Sequence, residues 1–128
     1  MRVFKNKAFS RFADGNKISD EDLCDTVQRA SRGLIDANLG GGVIKQRIAR
    51  KGGGKSGGFR SMILFRVGNR AVFVHGFAKK DLGNINPNEL KALKKLARIM
   101  LGYSDAQIAT VVALGTLFEV KCNGKTVS

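Results

Sequence analysis

A long basic stretch in the middle of the chain has the clearest chemical meaning. Residues 37–80 contain no Asp or Glu, although the chain has ten acidic residues elsewhere. The cations of the stretch are Lys45, Arg47, Arg50, Lys51, Lys55, Arg60, Arg66, Arg70, Lys79 and Lys80. Uncompensated positive charge attracts polyanions, because each phosphate that a cation neutralises releases condensed counterions. Strand-type apolar residues separate these cations, so the stretch predicts a folded surface that binds nucleic acid.

A glycine-rich loop interrupts the basic stretch at residues 52–58, which read GGGKSGG. Its glycines match G-x-G-x-x-G, but that pattern binds dinucleotides only where it opens a helix after a strand, and here a strand is predicted to follow. A P-loop is excluded too, because its first glycine would fall at Ala49. We interpret the loop as a hairpin connection whose backbone and Lys55 can approach a phosphate closely.

Three further features each have two interpretations. His75, the one histidine of the chain, is either a half-buried sheet residue or, on an open face, a proton-transfer group. Phe77 either packs in the core or stacks on a base. A basic stripe on a predicted helix is either a solvated face or a secondary RNA contact, and it comprises Lys91, Lys94, Lys95 and Arg98. The basic segment offers no carboxylate or thiol beside His75, so we expect neither a metal nor a cofactor.

Composition indicates one domain over residues 1–128, since 43% hydrophobic residues allow a substantial core despite a net charge of +13. No apolar run approaches the length of a membrane span, and the N-terminus lacks the apolar core of a signal peptide. Cys24 and Cys122 are isolated in sequence, and we expect two thiols in a reducing cytoplasm rather than a disulfide.

The elements that must position the cations are readable from caps and periodicity. Helices are predicted to begin at Ser19, at Asn86 followed by Pro87, and at Ser104, each with an acidic residue or Gln at the capping-box position. A short helical turn is predicted near residues 8–12. Strands are predicted at residues 43–50, 59–66, 70–79 and 116–122.

A two-residue turn at Gly68-Asn69 would set the register of the central hairpin. It would pair Val67 with Arg70, Leu64 with Phe73, Met62 with His75, and Arg60 with Phe77. Residues opposite one another share a face, so Arg60, Met62, His75, Phe77 and then Lys79 should lie on one open face. The opposite face should receive the helices, and it would comprise Phe59, Ile63, Phe65, Val72 and Val74.

Residues 41–96 resemble the RelE-like toxins of bacterial toxin–antitoxin systems, especially the HigB-like branch. The resemblance is carried by GVIKQR at 42–47, GKSGGFR at 54–60, FAKKD at 77–81 and ELKALKKL at 89–96. It implies an α+β domain in which N-terminal helices pack on a twisted antiparallel sheet of about three to five strands, with further helices at the C-terminus. It also implies metal-free cleavage of mRNA on the ribosome, in the cytoplasm, and inhibition by a cognate antitoxin.

The resemblance also assigns site residues. The family's basic strand residue matches Lys45 or Arg47, its transition-state arginine matches Arg60, and its later basic residue matches Lys79 or Lys80. We expect Lys45 to act as the base for a ribose 2′-OH and Arg60 to stabilise the phosphorane. Lys79 or Lys80 should help the leaving group or anchor a phosphate, and further phosphates should be bound by Arg50, Lys51 and Lys55. A Tyr or His that several members carry near the end of the sheet as a proton carrier has no counterpart in residues 118–122.

Three alternatives remain at this point. A ParE-like relative that inhibits gyrase would share the fold without the RNA-cleaving cluster. A non-catalytic RNA- or DNA-binding module would use the same charge. A metal-dependent nuclease is disfavoured because the basic segment has no carboxylate ligand.

Overall fold

The structure, a computed structural model, describes residues 1–48, 58–78 and 85–122, and shows one sheet between two layers of helices. The helices are α1 (Lys7–Gly15), α2 (Asp20–Ser31), α3 (Pro87–Leu101) and α4 (Asp105–Ala113). The strands are β1 (Arg2–Asn6), β2 (Ala37–Gly40), β3 (Val43–Ile48), β4 (Phe59–Arg66), β5 (Arg70–Ala78) and β6 (Leu117–Glu119). None of the described helices is long and apolar enough to cross a bilayer.

The predicted fold class, helices packed on a mainly antiparallel sheet, is confirmed. Within the described residues the sheet has six strands, more than the expected number of about three to five, in the order β2-β3-β4-β5-β1-β6, and β1 and β5 form a parallel pair. Sequence patterns missed β1 because its pairing partners, β5 and β6, are distant in the chain. Arg2 of β1, for example, pairs with Arg70 of β5. The patterns missed β2 because it has only four residues, and two of them, Asn38 and Gly40, are poor strand formers.

The three predicted helix starts are confirmed by their caps. Ser19 and Asp22 exchange hydrogen bonds in a capping box, with the Ser19 hydroxyl accepting from the Asp22 N–H at 3.1 Å. Ser104 and Gln107 form a second box at the start of α4. Asn86 accepts from the Glu89 N–H at 2.8 Å, with proline in the first turn of α3. Each cap satisfies backbone donors that a helix leaves unpaired, which fixes where the helix begins.

Both faces of the sheet are covered, at least in part. The α1–α2 face carries an apolar cluster that includes Phe9, Leu23, Val27, Ile63 and Phe73. The α3 face carries a second cluster, with Met62, Leu64, Val72 and Ala97 among its members. The expectation that the Met62 face is open is therefore wrong at Met62 itself, which is 1% exposed beneath the C-terminal helices.

The observed register of the β4–β5 hairpin differs from the predicted one near the turn and agrees with it at the far end. The turn takes three residues, 67–69, so Leu64 pairs with Val72 rather than with Phe73. A β-bulge at Val74 then adds one residue to β5, and beyond it Met62 pairs with His75 as predicted. The three-residue turn also explains why Val72 and Val74 lie on the α3 face instead of the opposite one, because it pairs Val72 with Leu64 of that face.

Two arginines of the basic stretch, Arg66 and Arg70, donate hydrogen bonds to backbone carbonyls of the protein itself. Arg70 is 5% exposed, and its guanidinium donates to the carbonyls of Met100 at 2.8 Å and Tyr103 at 3.0 Å. Burial lowers the pKa of Arg70, an effect that the nearby Asp105 opposes. Arg66 donates to the Leu101 carbonyl at 3.2 Å. Both cations thus satisfy carbonyls at the C-terminal end of α3, where positive charge is favourable.

The interpretation of the cysteines as two thiols is wrong. Cys24 of α2 and Cys122, which follows β6, form a disulfide whose Cα atoms lie 5.8 Å apart. Sequence separation concealed this contact, because the two residues are 98 positions apart and only the tertiary structure brings them together. Asp20 reinforces the junction by accepting from the Lys121 N–H at 2.8 Å and from the Lys5 ammonium at 3.2 Å.

We expect Gly76→Ala to destabilise the protein. A Cβ at Gly76 would lie 2.3 Å from Cδ2 of Phe12, and overpacking of this kind costs about 1–3 kcal/mol. Gly15→Ala is the matched control, because the same methyl group would enter open space at the end of α1. Urea unfolding of both variants tests the clash, and equal unfolding free energies would contradict it.

The disulfide predicts a second difference in stability. Joining residues so far apart restricts the unfolded chain, which is worth about 2–5 kcal/mol of unfolding free energy. The double variant Cys24→Ser/Cys122→Ser should therefore unfold at lower denaturant than the unreduced protein. Thiol titration of the unreduced, denatured protein should find no free thiol among the two cysteines, and finding two would contradict the bond.

Candidate functional site

The strand register places predicted site residues in one row across three strands. Arg47 of β3 lies opposite Arg60 of β4, and Arg60 lies opposite Phe77 of β5. The neighbouring row contains Lys45, Met62 and His75. Directly opposite residues share a face of a sheet, and Met62 belongs to the α3 face. Lys45, Arg47 and Arg60, which we call the cation cluster, therefore lie together on that face.

Phe77 links the two rows. Lys45 Nζ lies 5.6 Å from the centroid of its ring, within the range of a cation–π contact. The His75 ring lies 5.7 Å from the same ring between centroids, tilted by 32°. Phe77 is half-buried and also borders the apolar cluster of the α3 face. Core packing and base stacking are therefore both open to Phe77, because one part of its ring packs in the apolar cluster and another part faces the cations.

A buried polar network on the opposite face holds β3 and β4 in register behind the cation cluster. The Gln46 side chain, 0% exposed, donates to the Leu34 carbonyl at 2.9 Å and accepts from the Asp36 N–H at 3.0 Å. Ser61 donates from its hydroxyl to the Gln46 carbonyl at 2.9 Å. Gln46 and Ser61 are direct partners across the two strands, next to the pair of arginines.

Sequence reasoning missed this network, although a signal existed. Gln46 occupies an inward position between Ile44 and Ile48, where strand alternation predicts an apolar residue. A polar side chain at such a position must find partners, because an unpaired buried polar group costs free energy. The partners themselves, the backbone of residues 34–36, could not be read from the sequence.

The backbone at Arg47 is anchored from both sides. Its N–H donates to an Asp36 carboxylate oxygen, and its carbonyl accepts from the Arg29 guanidinium of α2. The Asp36 carboxylate is thereby engaged with main chain at the edge of the cation cluster. The side chain of Arg47 is exposed, while those of Lys45 and Arg60 are half-buried.

The cation cluster is electrostatically unbalanced within the described residues. Lys45, Arg47 and Arg60 make no ion pair with any described carboxylate, whereas Arg2 pairs with Glu119 at 2.9 Å elsewhere. The Arg2 guanidinium holds the pKa of Glu119 below its ordinary value through that hydrogen bond. Like charges directly opposite in a sheet are destabilising, so a bound anion would relieve the repulsion between Arg47 and Arg60.

The remaining predicted residues divide into two groups. Some lie outside the described residues, namely Arg50, Lys51, Lys55, Lys79 and Lys80. The others are on α3, where Lys91 and Lys95 are exposed and Lys94 packs beside Gly40 and Gly41 at the β2–β3 turn. That turn precedes the start of β3, whereas Arg47 lies near its end. Lys94 therefore lies at the opposite end of β3 from Arg47.

Lys94 lines an open cavity of about 330 Å³ together with Arg66 and Arg98. The cavity floor is apolar, and it includes Phe65, Ala97 and Leu101. Across residues 1–48, 58–78 and 85–122, no group of three or more His, Cys, Asp or Glu side chains could hold a metal ion. The cation cluster therefore stands as the described site best suited to phosphate chemistry.

One comparison with known proteins gave a match. A family model described as the RelE toxin of the RelE/RelB toxin–antitoxin system matches residues 1–120. The match extends beyond the central segment on which the sequence resemblance was based, and takes in β1, α1, α2 and α4. A search of curated proteins gave no match.

The unbalanced charge leads to a stability prediction for Arg60. Arg60→Gln removes one of two opposed guanidinium groups and should raise the unfolding free energy by up to about 1 kcal/mol. Arg66→Gln, at the other end of β4, removes the bond to the Leu101 carbonyl and should lower it by about 0.5–1.5 kcal/mol. Denaturant unfolding at low salt compares the two variants, and a loss of stability in both would contradict the account of Arg60.

Proposed function

The chain belongs to the RelE family of toxins, and we propose that it is a metal-free endonuclease that cleaves mRNA on the ribosome. Membership makes it the toxin of a toxin–antitoxin system, with a cognate antitoxin as its partner. The proposal includes the HigB-like branch, a single toxin domain over residues 1–128, and action in the cytoplasm, where ribosomes and mRNA are found.

The observation that carries the proposal is the juxtaposition of Lys45, Arg47 and Arg60. The three are brought onto one face by alternate pairs of β3 and β4, Lys45–Met62 and Arg47–Arg60. None of the three side chains forms an ion pair with a described carboxylate, and the Asp36 carboxylate bonds to the Arg47 backbone instead, so the cluster can receive a phosphodiester. A row of donors held by paired strands is preorganised, and preorganised charge is the main means by which proteins stabilise transition states that gain negative charge.

The proposed reaction is attack of a ribose 2′-OH on the adjacent phosphorus. Lys45 acts as the base and takes the proton of the 2′-OH. Arg60 donates to the non-bridging oxygens as charge builds on the phosphorane, and Arg47 opposite it binds the same phosphate. The bond from phosphorus to the 5′-oxygen then breaks, leaving a 2′,3′-cyclic phosphate and a 5′-hydroxyl end.

Other predicted residues take supporting roles in the proposal. Phe77 offers an aromatic face next to the arginine row, on which a base can stack. Lys79 or Lys80 anchors a phosphate after β5, and Arg50, Lys51 and Lys55 bind phosphates along the glycine-rich loop. Lys91, Lys94 and Lys95 would contact RNA away from the scissile linkage, because Lys94 lies at the β2–β3 turn.

Arg60→Ala should abolish toxicity while the protein still folds. Loss of one preorganised donor typically lowers a rate by about 100- to 1000-fold. The measurement is induced expression followed by mapping of mRNA 5′-ends, repeated with purified ribosomes and a defined mRNA. Arg11→Ala is the matched control, since it removes one positive charge from an exposed position on α1, which covers the opposite face of the sheet.

The same experiment separates the rival functions. Intact mRNA with growth arrest and damaged chromosomal DNA would indicate a gyrase inhibitor instead. Salt-dependent RNA binding without cleavage would indicate a non-catalytic module. Full cleavage by Arg60→Ala would show that the transition state is stabilised by other groups.

A further inference from the structure

The β-bulge in β5 determines which side chains reach the cation cluster. On the turn side of the bulge Ile63 pairs with Phe73, and beyond it Met62 pairs with His75. Val74 is the extra residue, and it packs in the cluster of the α3 face. Strict alternation after Val74 would send His75 to the opposite face. The bulge therefore turns His75 onto the face of Arg60, and bulges re-aim side chains in this way beside active sites.

The position of His75 is fixed by its neighbours in β5. Gly76 faces the other side of the sheet, where the Phe12 ring of α1 fills the space a Cβ would need. Phe77 follows on the same face as His75, and the two rings are 5.7 Å apart. The imidazole itself is exposed. It is thus held by backbone next to the arginine row, with its ring accessible to a substrate.

The proposed cleavage requires one group that the cation cluster does not supply. The departing 5′-oxygen leaves as an alkoxide unless it is protonated, and arginine holds its proton too firmly to be an effective donor near neutral pH. Imidazole exchanges a proton readily in that range. The chain contains one histidine, and the fold places it two residues along β5 from the Arg60 partner Phe77.

We propose that His75 is the general acid that protonates the leaving 5′-oxygen, an inference that rests on the proposed function. The imidazolium donates an N–H proton to the 5′-oxygen as the phosphorus–oxygen bond breaks and its electron pair moves to that oxygen. The 2′-OH proton has by then passed to Lys45. His75 ends as neutral imidazole and Lys45 as ammonium, so the step is balanced without any further reactant.

The test uses a leaving group that needs no acid. Two mRNAs are compared on purified ribosomes, one normal and one with sulfur in place of the bridging 5′-oxygen at the linkage that the wild-type protein cuts. On normal mRNA, His75→Gln should cleave about 100-fold or more slowly than wild type, the usual size of a general-acid contribution. On the sulfur-bridged mRNA the two proteins should cleave at nearly equal rates, because a thiolate leaves without protonation.

Arg60→Ala is the matched comparison. Because Arg60 stabilises the phosphorane rather than the leaving group, this variant should cleave both substrates slowly. Added imidazole should restore part of the activity of His75→Ala on normal mRNA, since the site is exposed. Equal rates for wild type and His75→Gln on normal mRNA would overturn the inference, and so would a defect that persists on the sulfur-bridged substrate. Absence of cleavage by the wild-type protein would instead overturn the proposed function itself.

Discussion

The pairing of β4 with β3 on one side and β5 on the other is the constraint on which the rest of the structure depends. It places Arg47, Arg60 and Phe77 in one row and Lys45, Met62 and His75 in the next. A shift of one residue in either pairing would turn the facing side chains to the other side of the sheet. The β3–β4 register next to Arg47 and Arg60 is stabilised by the Gln46–Ser61 pair on the opposite face of the sheet.

The basic stretch divides into cations that stabilise the fold and cations that are available for a ligand. Arg66 and Arg70 bond to carbonyls at the end of α3 and so attach that helix to the hairpin. Lys45, Arg47 and Arg60 lack a described carboxylate partner. Charge that is uncompensated in the free protein is a cost in stability that binding of an anion reverses. The opposed Arg47 and Arg60 are therefore the pair whose repulsion an anionic ligand would reduce.

The C-terminal segment is held to the rest of the fold by a separate set of contacts. β6 pairs with β1, Val120 packs in the cluster of the α1–α2 face, and Cys122 is bonded to Cys24. These contacts join the two ends of the chain on the far side of β5 from β3. They fix the edge of the sheet rather than the cation cluster, which depends on the three central strands.

The sequence by itself determined the parts of this protein that local chemistry specifies. Capping residues defined the starts of α2, α3 and α4, alternation defined β3, β4 and β5, and the absence of acids from 37–80 indicated an anionic ligand. The tertiary structure decided what depends on distant partners. The β1–β5 pairing, the Cys24–Cys122 bond and the use of Arg70 as a cap each join residues at least 30 positions apart. The bulge at Val74 was decided in the same way, because an extra residue in a strand has no local signature and is fixed only when both partner strands and the helices on each face have packed.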